Sequence, residues 1–353
     1  MDRRDFLHPR HLVHTAGQIL AAADELVPEA QAPAEDLALL RAARRAMATR
    51  FEILLPYGTP DALTLAEAAF DEIDRLEQQL TVYRETSELS RLNRLAPLMP
   101  VPVEQGLFDL LSLAAVITRE TEGAYDITAG ALIKAWGFYR GPRRVPADEE
   151  RAEALAKVGM QHVVLDPDTR TVRYLRPGLE INLGSIGKGY ALDRAAELLR
   201  VSFALPAALL HGGHSSVYAM GTEPGDSRGW TIGIQHPSDP ERRLGIVRLR
   251  DLALGTSSAT FQHLEHQGRK LGHLLDPRSG WPAETMAQAT VVAPTAALAD
   301  ALATAFFILG VDGTRAYCAR HPEIGAVLLP REENAVPVVC GLRPEDVQIY
   351  DVG

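Results

Sequence analysis

Asp300 and Thr304 stand four residues apart in the otherwise apolar run Ala299-Asp-Ala-Leu-Ala-Thr-Ala305. Helical spacing puts them on one face, and a carboxylate with a hydroxyl is a partial site for hard Mg²⁺, which takes its remaining ligands from phosphate and water. The same pair also reads as an aspartate favouring a helix N-terminus and a threonine bonded to its own backbone. A second run, Ile181 to Asp193, passes from a strand through a Gly-rich turn into a helix with Lys188 near its start. Backbone N–H groups there would face an anion, glycines would allow close approach, and Lys188 would add a point charge. It is no Walker loop, because only two residues separate Gly184 from Gly187 and Gly189 replaces the metal-holding Ser/Thr. A tight turn with a surface lysine is the plain alternative. His273 precedes the turn Asp276-Pro-Arg-Ser-Gly280; beside a phosphate it would be a base or a donor, and alone it reads as a structural hydrogen-bonder. His8, His11, His14, His263 and His266 read as solvated.

The elements that must hold these groups follow from periodicity. Phe51 to Leu55 is an apolar run stopped by Pro56 and Gly58, a strand and turn. Leu63, Ala66, Phe70, Ile73, Leu76 and Leu80 recur at helical spacing after Asp61, a candidate N-cap. A second helix presents Leu107, Leu110, Leu111, Ala114 and Ile117, with Gly123 as its stop. Val163 to Leu165 and Val172 to Leu175 flank Asp166-Pro-Asp168 as a hairpin. Further on, a helix is predicted over 188–200, strands over 207–210, 230–234, 246–249 and 289–293, and a helix over 295–309. Together these give a mixed α+β enzyme without repeats.

Composition narrows the function. With 36 Lys plus Arg against 46 Asp plus Glu, the net charge of −10 across 353 residues offers no footprint for nucleic acid. Two cysteines, Cys318 and Cys340, show no zinc spacing and leave one disulfide open. Apolar windows broken by charge or glycine argue against an integral membrane segment. Residues 1–45 read as a leader before a domain over 46–353. Its start, Asp2-Arg-Arg-Asp-Phe-Leu7, looks like the core of a twin-arginine export signal, yet His8, Arg10, His11 and His14 occupy the place of the apolar stretch.

Taken in order, these segments resemble the ApbE family of FAD:protein FMN transferases from about Met47 to Gly310. Met47-Ala-Thr resembles the family's opening Met-Gly-Thr, and Val82-Tyr83 with Ser87-Glu-Leu-Ser-Arg-Leu-Asn93 resembles its next block. Gly123-Ala-Tyr-Asp-Ile-Thr, Trp136-Gly-Phe138, Asn182 to Asp193, Gly212-Gly213, Thr256-Ser257, His273 to Pro282 and Ala299 to Thr304 follow. Any one block is weak, and their shared order carries the resemblance. Ala48 departs from the family's glycine, Ser258 and Ala259 from a glycine and an acidic residue, and His214 follows the double glycine.

The resemblance implies an α+β fold of the ApbE type, T-fold-like and two-lobed, with FAD in the cleft. It implies cofactor contacts at Met47, Tyr83, Ala124, Tyr125, Asp126, Lys188, His273 and Leu274. It places Mg²⁺ at Ser185, Asp300 and Thr304, with His273 and Asp300 as the catalytic pair. The implied reaction moves the FMN half of FAD onto a Ser/Thr hydroxyl of an acceptor flavoprotein and releases AMP. Family acceptors include subunits of the sodium-translocating NADH:quinone reductase and Rnf-type complexes. An Mg²⁺-dependent FAD pyrophosphatase and a non-catalytic FAD binder are the alternatives. The family commonly acts outside the cytoplasm, whereas a lipobox and a clear signal are missing here, which keeps a cytoplasmic location open.

Overall fold

The computed structural model describes residues 39–139, 142–213, 215–239, 241–258, 263–266, 269–332 and 335–350. His8, His11, His14, the export-like motif, His214 and Ala259 lie outside them. In chain order the first half comprises β1 (Leu39–Ala46), β2 (Thr49–Pro56), α1 (Ala62–Leu80), α2 (Glu88–Leu95), β3 (Val101–Pro102), α3 (Gln105–Glu120), α4 (Gly130–Ala135), α5 (Asp148–Leu155), β4 (Val163–Asp166), β5 (Thr171–Tyr174) and α6 (Gly187–Phe203). The second half is strand-rich. It holds β6 (Ala208–Gly212), β7 (Ser216–Met220), β8 (Trp230–Gln235), β9 (Arg243–Leu249), β10 (Leu252–Ser258), β11 (His263–His266), β12 (Arg269–Gly272), β13 (Met286–Ala293), α7 (Ala296–Arg320), β14 (Gly325–Pro330), β15 (Val338–Cys340) and β16 (Val347–Ile349).

Eight strands form one antiparallel sheet in the order β1-β2-β6-β7-β10-β13-β14-β15. Period-two alternation decides what each face meets. Phe51, Ile53 and Leu55 on β2, with Ala289, Val291 and Ala293 on β13, bury toward the helical layer of α1, α3, α6 and α7. Val217, Ala219, Leu254, Val292 and Val327 point the other way, onto Trp230, Ile234, Val247 and Leu249 of the small sheet β16-β9-β8. The mixed helix-and-sheet architecture agrees with the expected class.

The helices match their periodicity with local differences. On α1, Ala66, Phe70, Ile73, Leu76 and Leu80 are buried, while Leu63 is 67% exposed and Leu65 takes its place on the core face. Asp61 is left-handed, at φ 51°, and its side chain makes no capping bond. All five core residues expected on α3 are buried, and Gly123 at φ 75° closes the helix with an N–H to the Thr118 carbonyl.

The expected leader boundary falls inside a hairpin. Strand β1, of which residues 39–45 read as leader by their Ala- and Arg-rich composition, is paired in register with β2 from Leu39↔Pro56 to Ala46↔Thr49. α7 is long and apolar enough to cross a membrane by length and composition, but its apolar surface is spent on the core: Ala299, Ala303, Phe306 and Phe307 are fully buried. Its backbone leaves helical geometry at Gly310, one residue beyond the predicted end at Leu309, and then resumes. Cys318 on α7 and Cys340 on β15 are buried free thiols, and burial pushes Cys318 up to about 12.

Candidate active site

Asp300 sits in the first turns of α7, where Thr295 caps the helix by accepting the Leu298 N–H. Asp193, on α6, holds the same helix end from outside: its two carboxylate oxygens accept the Ala296 and Ala297 N–H groups at 2.7 and 2.8 Å. These are two of the donors that a helix start leaves without intrahelical partners. Burial still pushes Asp193 up to about 7. The family motif contained Asp193, but only the crossing of α6 and α7 reveals its task.

That crossing is close because glycines permit it. A Cβ on Gly189 would lie 2.1 Å from the Ala296 carbonyl oxygen, and one on Gly255 of β10 would lie 2.4 Å from the Ala299 carbonyl carbon. Between these two contacts the Asp300 carboxylate is held by two donors. Ser216, wholly buried on β7, donates its hydroxyl toward Oδ1 and Oδ2 at 2.7 and 2.9 Å, and the Gly189 N–H donates to Oδ2 at 2.8 Å. Burial pushes Asp300 up to about 6, against the lowering influence of Lys188, Ser216 and Gly189.

Two of the N–H donors expected to face an anion in the Gly-rich turn are engaged within the protein. The Gly189 N–H is directed to Asp300, and the Gly187 N–H donates to the Leu183 carbonyl at 2.7 Å, so these donors serve the protein itself. The anion that the Gly189 N–H stabilises is Asp300. Lys188 remains half-buried on the cavity wall.

A cavity of about 720 Å³ gathers the whole predicted set: Met47, Tyr83, Ala124, Tyr125, Asp126, Ser185, Lys188, His273, Leu274, Asp300 and Thr304 all line it. Such a volume suits a large cofactor. Thr304 Oγ1 lies 3.3 Å from Ser257 Oγ, which extends the oxygen-bearing wall from α7 to β10. Tyr125 is buried with its hydroxyl 3.4 Å from Ser185 Oγ, and burial raises it well above the usual tyrosine value. Asp126 is raised by burial, and its oxygens accept the Thr128 N–H and hydroxyl and the Met160 N–H. Its carboxylate therefore holds its own loop. Tyr83 stacks on Tyr139 with ring centroids 4.8 Å apart, and His273 meets Phe138 edge-on at 6.4 Å.

Sequence reasoning passed over Ser216, Asp193 and Ser257 as functional groups. Only the paired glycines upstream of Ser216 and the Thr-Ser motif at 256–257 signalled that these strands approach the site.

Met47 and Ala48 form the two-residue turn between β1 and β2, with φ at 49° and 59°. Such hairpin turns need positive φ at both positions, which glycine or asparagine adopts readily and alanine does not. Ala48→Gly is expected to stabilise the fold by about 1 kcal/mol, because a left-handed residue with a Cβ costs roughly 1–2 kcal/mol and glycine's entropy offsets part of the gain. Thermal unfolding reads this; an unchanged or lower midpoint would mean that the Ala48 methyl group contributes packing.

The donor set fits a hard divalent cation. Asp300 is a buried carboxylate whose ionisation is opposed by burial, with the Ser216 hydroxyl, the Gly189 N–H and Lys188 acting on it, and the Thr304 and Ser257 hydroxyls stand on the same wall. No cluster of three His, Cys, Asp or Glu side chains occurs among the described residues. A cation here would complete its shell with hydroxyls, backbone carbonyls and ligand oxygens. Were Asp300 to hold Mg²⁺, Ser216→Ala would weaken that binding by about tenfold, the usual scale for a lost partner of a ligating group. Calorimetric titration checks it; unaltered affinity would reduce the Ser216 hydroxyl to a packing role.

The chain is similar to known proteins over most of its length. A family model described as the ApbE family matches residues 47–328. Over 264 residues the chain is 31% identical to the FAD:protein FMN transferase of Escherichia coli strain K12, covering 73% of this chain and 74% of that protein. The crystal structure of an ApbE protein from Thermotoga maritima superposes with a TM-score of 0.78 at 28% identity, covering 86% of this chain and 97% of that one. The apo flavinyl transferase ApbE of Pseudomonas stutzeri gives 0.76 at 26% identity, covering 86% and 95%. Every residue lining the large cavity, from Met47 to Ile308, falls inside the matched span, and the chain belongs to the ApbE family.

Proposed function

We propose that this protein is an FAD:protein FMN transferase that moves the FMN half of FAD onto a Ser or Thr hydroxyl of an acceptor flavoprotein and releases AMP. The observation that carries this reading is the Asp300 carboxylate, oriented by Ser216 and Gly189 on the wall of a cavity that is also lined by Lys188, His273 and Tyr83, the last stacked on Tyr139. The names of the relatives supply the class of reaction.

In the proposed step the acceptor oxygen attacks the FMN-side phosphorus, a phosphoester bond forms, and the pyrophosphate P–O bond to AMP breaks. Charge on the phosphate oxygens is met by Lys188, and placement in line does most of the catalytic work. His273, half-buried on the same wall, takes the acceptor's proton. Tyr83 presents a ring on which the isoalloxazine stacks. Asp300 and Thr304, with the Ser185 backbone carbonyl, would hold Mg²⁺, which when bound neutralises pyrophosphate charge.

The direct test is mass spectrometry of a Ser/Thr-bearing flavoprotein acceptor incubated with the protein, FAD and Mg²⁺. Gain of one FMN on the acceptor with matching AMP release is the expected result. AMP without a mass gain would mean that water replaces the acceptor hydroxyl. Bound FAD with neither product would mark a flavin-binding protein.

A further inference from the structure

The β1–β2 hairpin carries charge opposite to that of the chain. The whole sequence is at −10, yet residues 39–56 hold Arg41, Arg44, Arg45 and Arg50 against Glu52 alone. Arg44 is paired with Glu67, Asp71 and Asp74 of α1. The other three arginines share the opposite face, because Arg41 and Arg45 alternate with Arg44 along β1 and Arg50 lies directly across from Arg45 on β2.

Glu52, buried at 3% exposure, is the acid of this face; it accepts from Arg41 and lies 2.8 Å from Arg50 and 2.9 Å from His211. The Arg41 and Arg50 side chains are nonetheless 61% and 62% exposed, and Arg45 is exposed as well. Like charges opposite one another on paired strands repel. Arg45 and Arg50 keep that arrangement at a groove of about 420 Å³, which they line with Met47, Ala48, Thr49 and Glu77. Met47, Ala48 and Thr49 also line the large cavity, so the two hollows meet at the hairpin turn.

We infer that the face formed by Arg41, Arg45 and Arg50 is the docking surface for the acceptor protein, and that it recognises an acidic segment beside the hydroxyl that enters the cavity. The inference rests on the transferase reading above. An acidic enzyme repels an acidic partner at long range, and a cationic patch at the cavity's edge reverses the local field and steers that partner to the opening. Arginine suits the task because its planar fork binds carboxylates with two parallel hydrogen bonds.

The test compares wild type with Arg45→Glu/Arg50→Glu and the neutral Arg45→Gln/Arg50→Gln, using FAD, Mg²⁺ and a purified acceptor flavoprotein. For charge reversal, the acceptor KM is expected to rise about tenfold or more at low salt and converge on wild type as ionic strength increases. The neutral variant shifts less in the same direction, while kcat and FAD affinity by fluorescence titration are unchanged in both. Weakened FAD binding would assign the arginines to the dinucleotide and overturn the inference. An unaltered acceptor KM would leave a solvated face and overturn it too. Failure of wild type itself to modify the acceptor overturns the transferase reading together with the docking surface, so the two failures are told apart by the wild-type lane.

Discussion

Asp300→Asn should leave a folded protein that has lost at least about a hundredfold of its FMN-transfer activity, the scale on which removing a preorganised charge from a phosphoryl-transfer site acts. The amide matches the carboxylate in shape and keeps an acceptor for Ser216 or Gly189, but it carries no charge for a cation. Stability should move the opposite way. Burial raises Asp300 from 3.8 to about 6, so the folded chain holds this proton more tightly than the unfolded chain does. Stability from this group is therefore full below pH 4 and is withdrawn as pH rises through 6, by about 3 kcal/mol from the shift in this metal-free site. Asparagine has no such titration. Without Mg²⁺, Asp300→Asn should be more stable than wild type at pH 7 and show a flatter stability profile between pH 4 and 6. Asp193, raised to about 7 by the same cause, keeps part of the slope. Urea midpoints across pH, with the acceptor mass assay beside them, check both halves; retained Mg²⁺-dependent transfer would remove Asp300 from the chemistry.

Gly189→Ala is the second large effect. Its methyl carbon would stand 2.1 Å from the Ala296 carbonyl oxygen, 2.3 Å from the carbonyl carbon and 2.7 Å from the Ala297 nitrogen, all backbone at the start of α7. A side chain could rotate away, whereas this helix end is tied to Asp193 and must move as a body. Overpacking of this kind costs about 3 kcal/mol. The shift also takes Asp300 off the Gly189 N–H, so transfer should fall further than the loss of folded protein accounts for. Gly187→Ala is the control, since its Cβ would meet only Leu183 Cβ at 4.0 Å. In a helix that change is expected to stabilise by roughly 0.5–1 kcal/mol. Equal urea midpoints for the two variants would show that α6 and α7 have room to separate.

The elements most legible in the sequence were those with a strong local pattern. The burial of α3 residues, the turn after Asp276 and the end of the first part of α7 at Leu309 all follow from spacing and from glycine or proline, because local backbone preference and one-sided burial act within a few residues. The chemistry of the Asp300, Thr304, Lys188 and His273 group was less legible: each read alone as an ordinary capping, surface or structural residue, and the order of the motifs was what joined them. What the sequence by itself determined was which residues the cavity gathers and the period of the elements carrying them.

Only tertiary structure decided which groups meet. β1 was read as leader because an edge strand rich in Ala and Arg has little periodic hydrophobicity, and its pairing with β2 is a non-local event. Ser216, Gly189 and Asp193 converge on the start of α7 from 84, 111 and 103 residues away in sequence. That convergence redirected the Gly189 N–H from an expected phosphate to Asp300. Strand pairing and helix crossing set it, since hydrogen-bond satisfaction in a buried core is settled by what lies within 3 Å in space, whatever the separation along the chain.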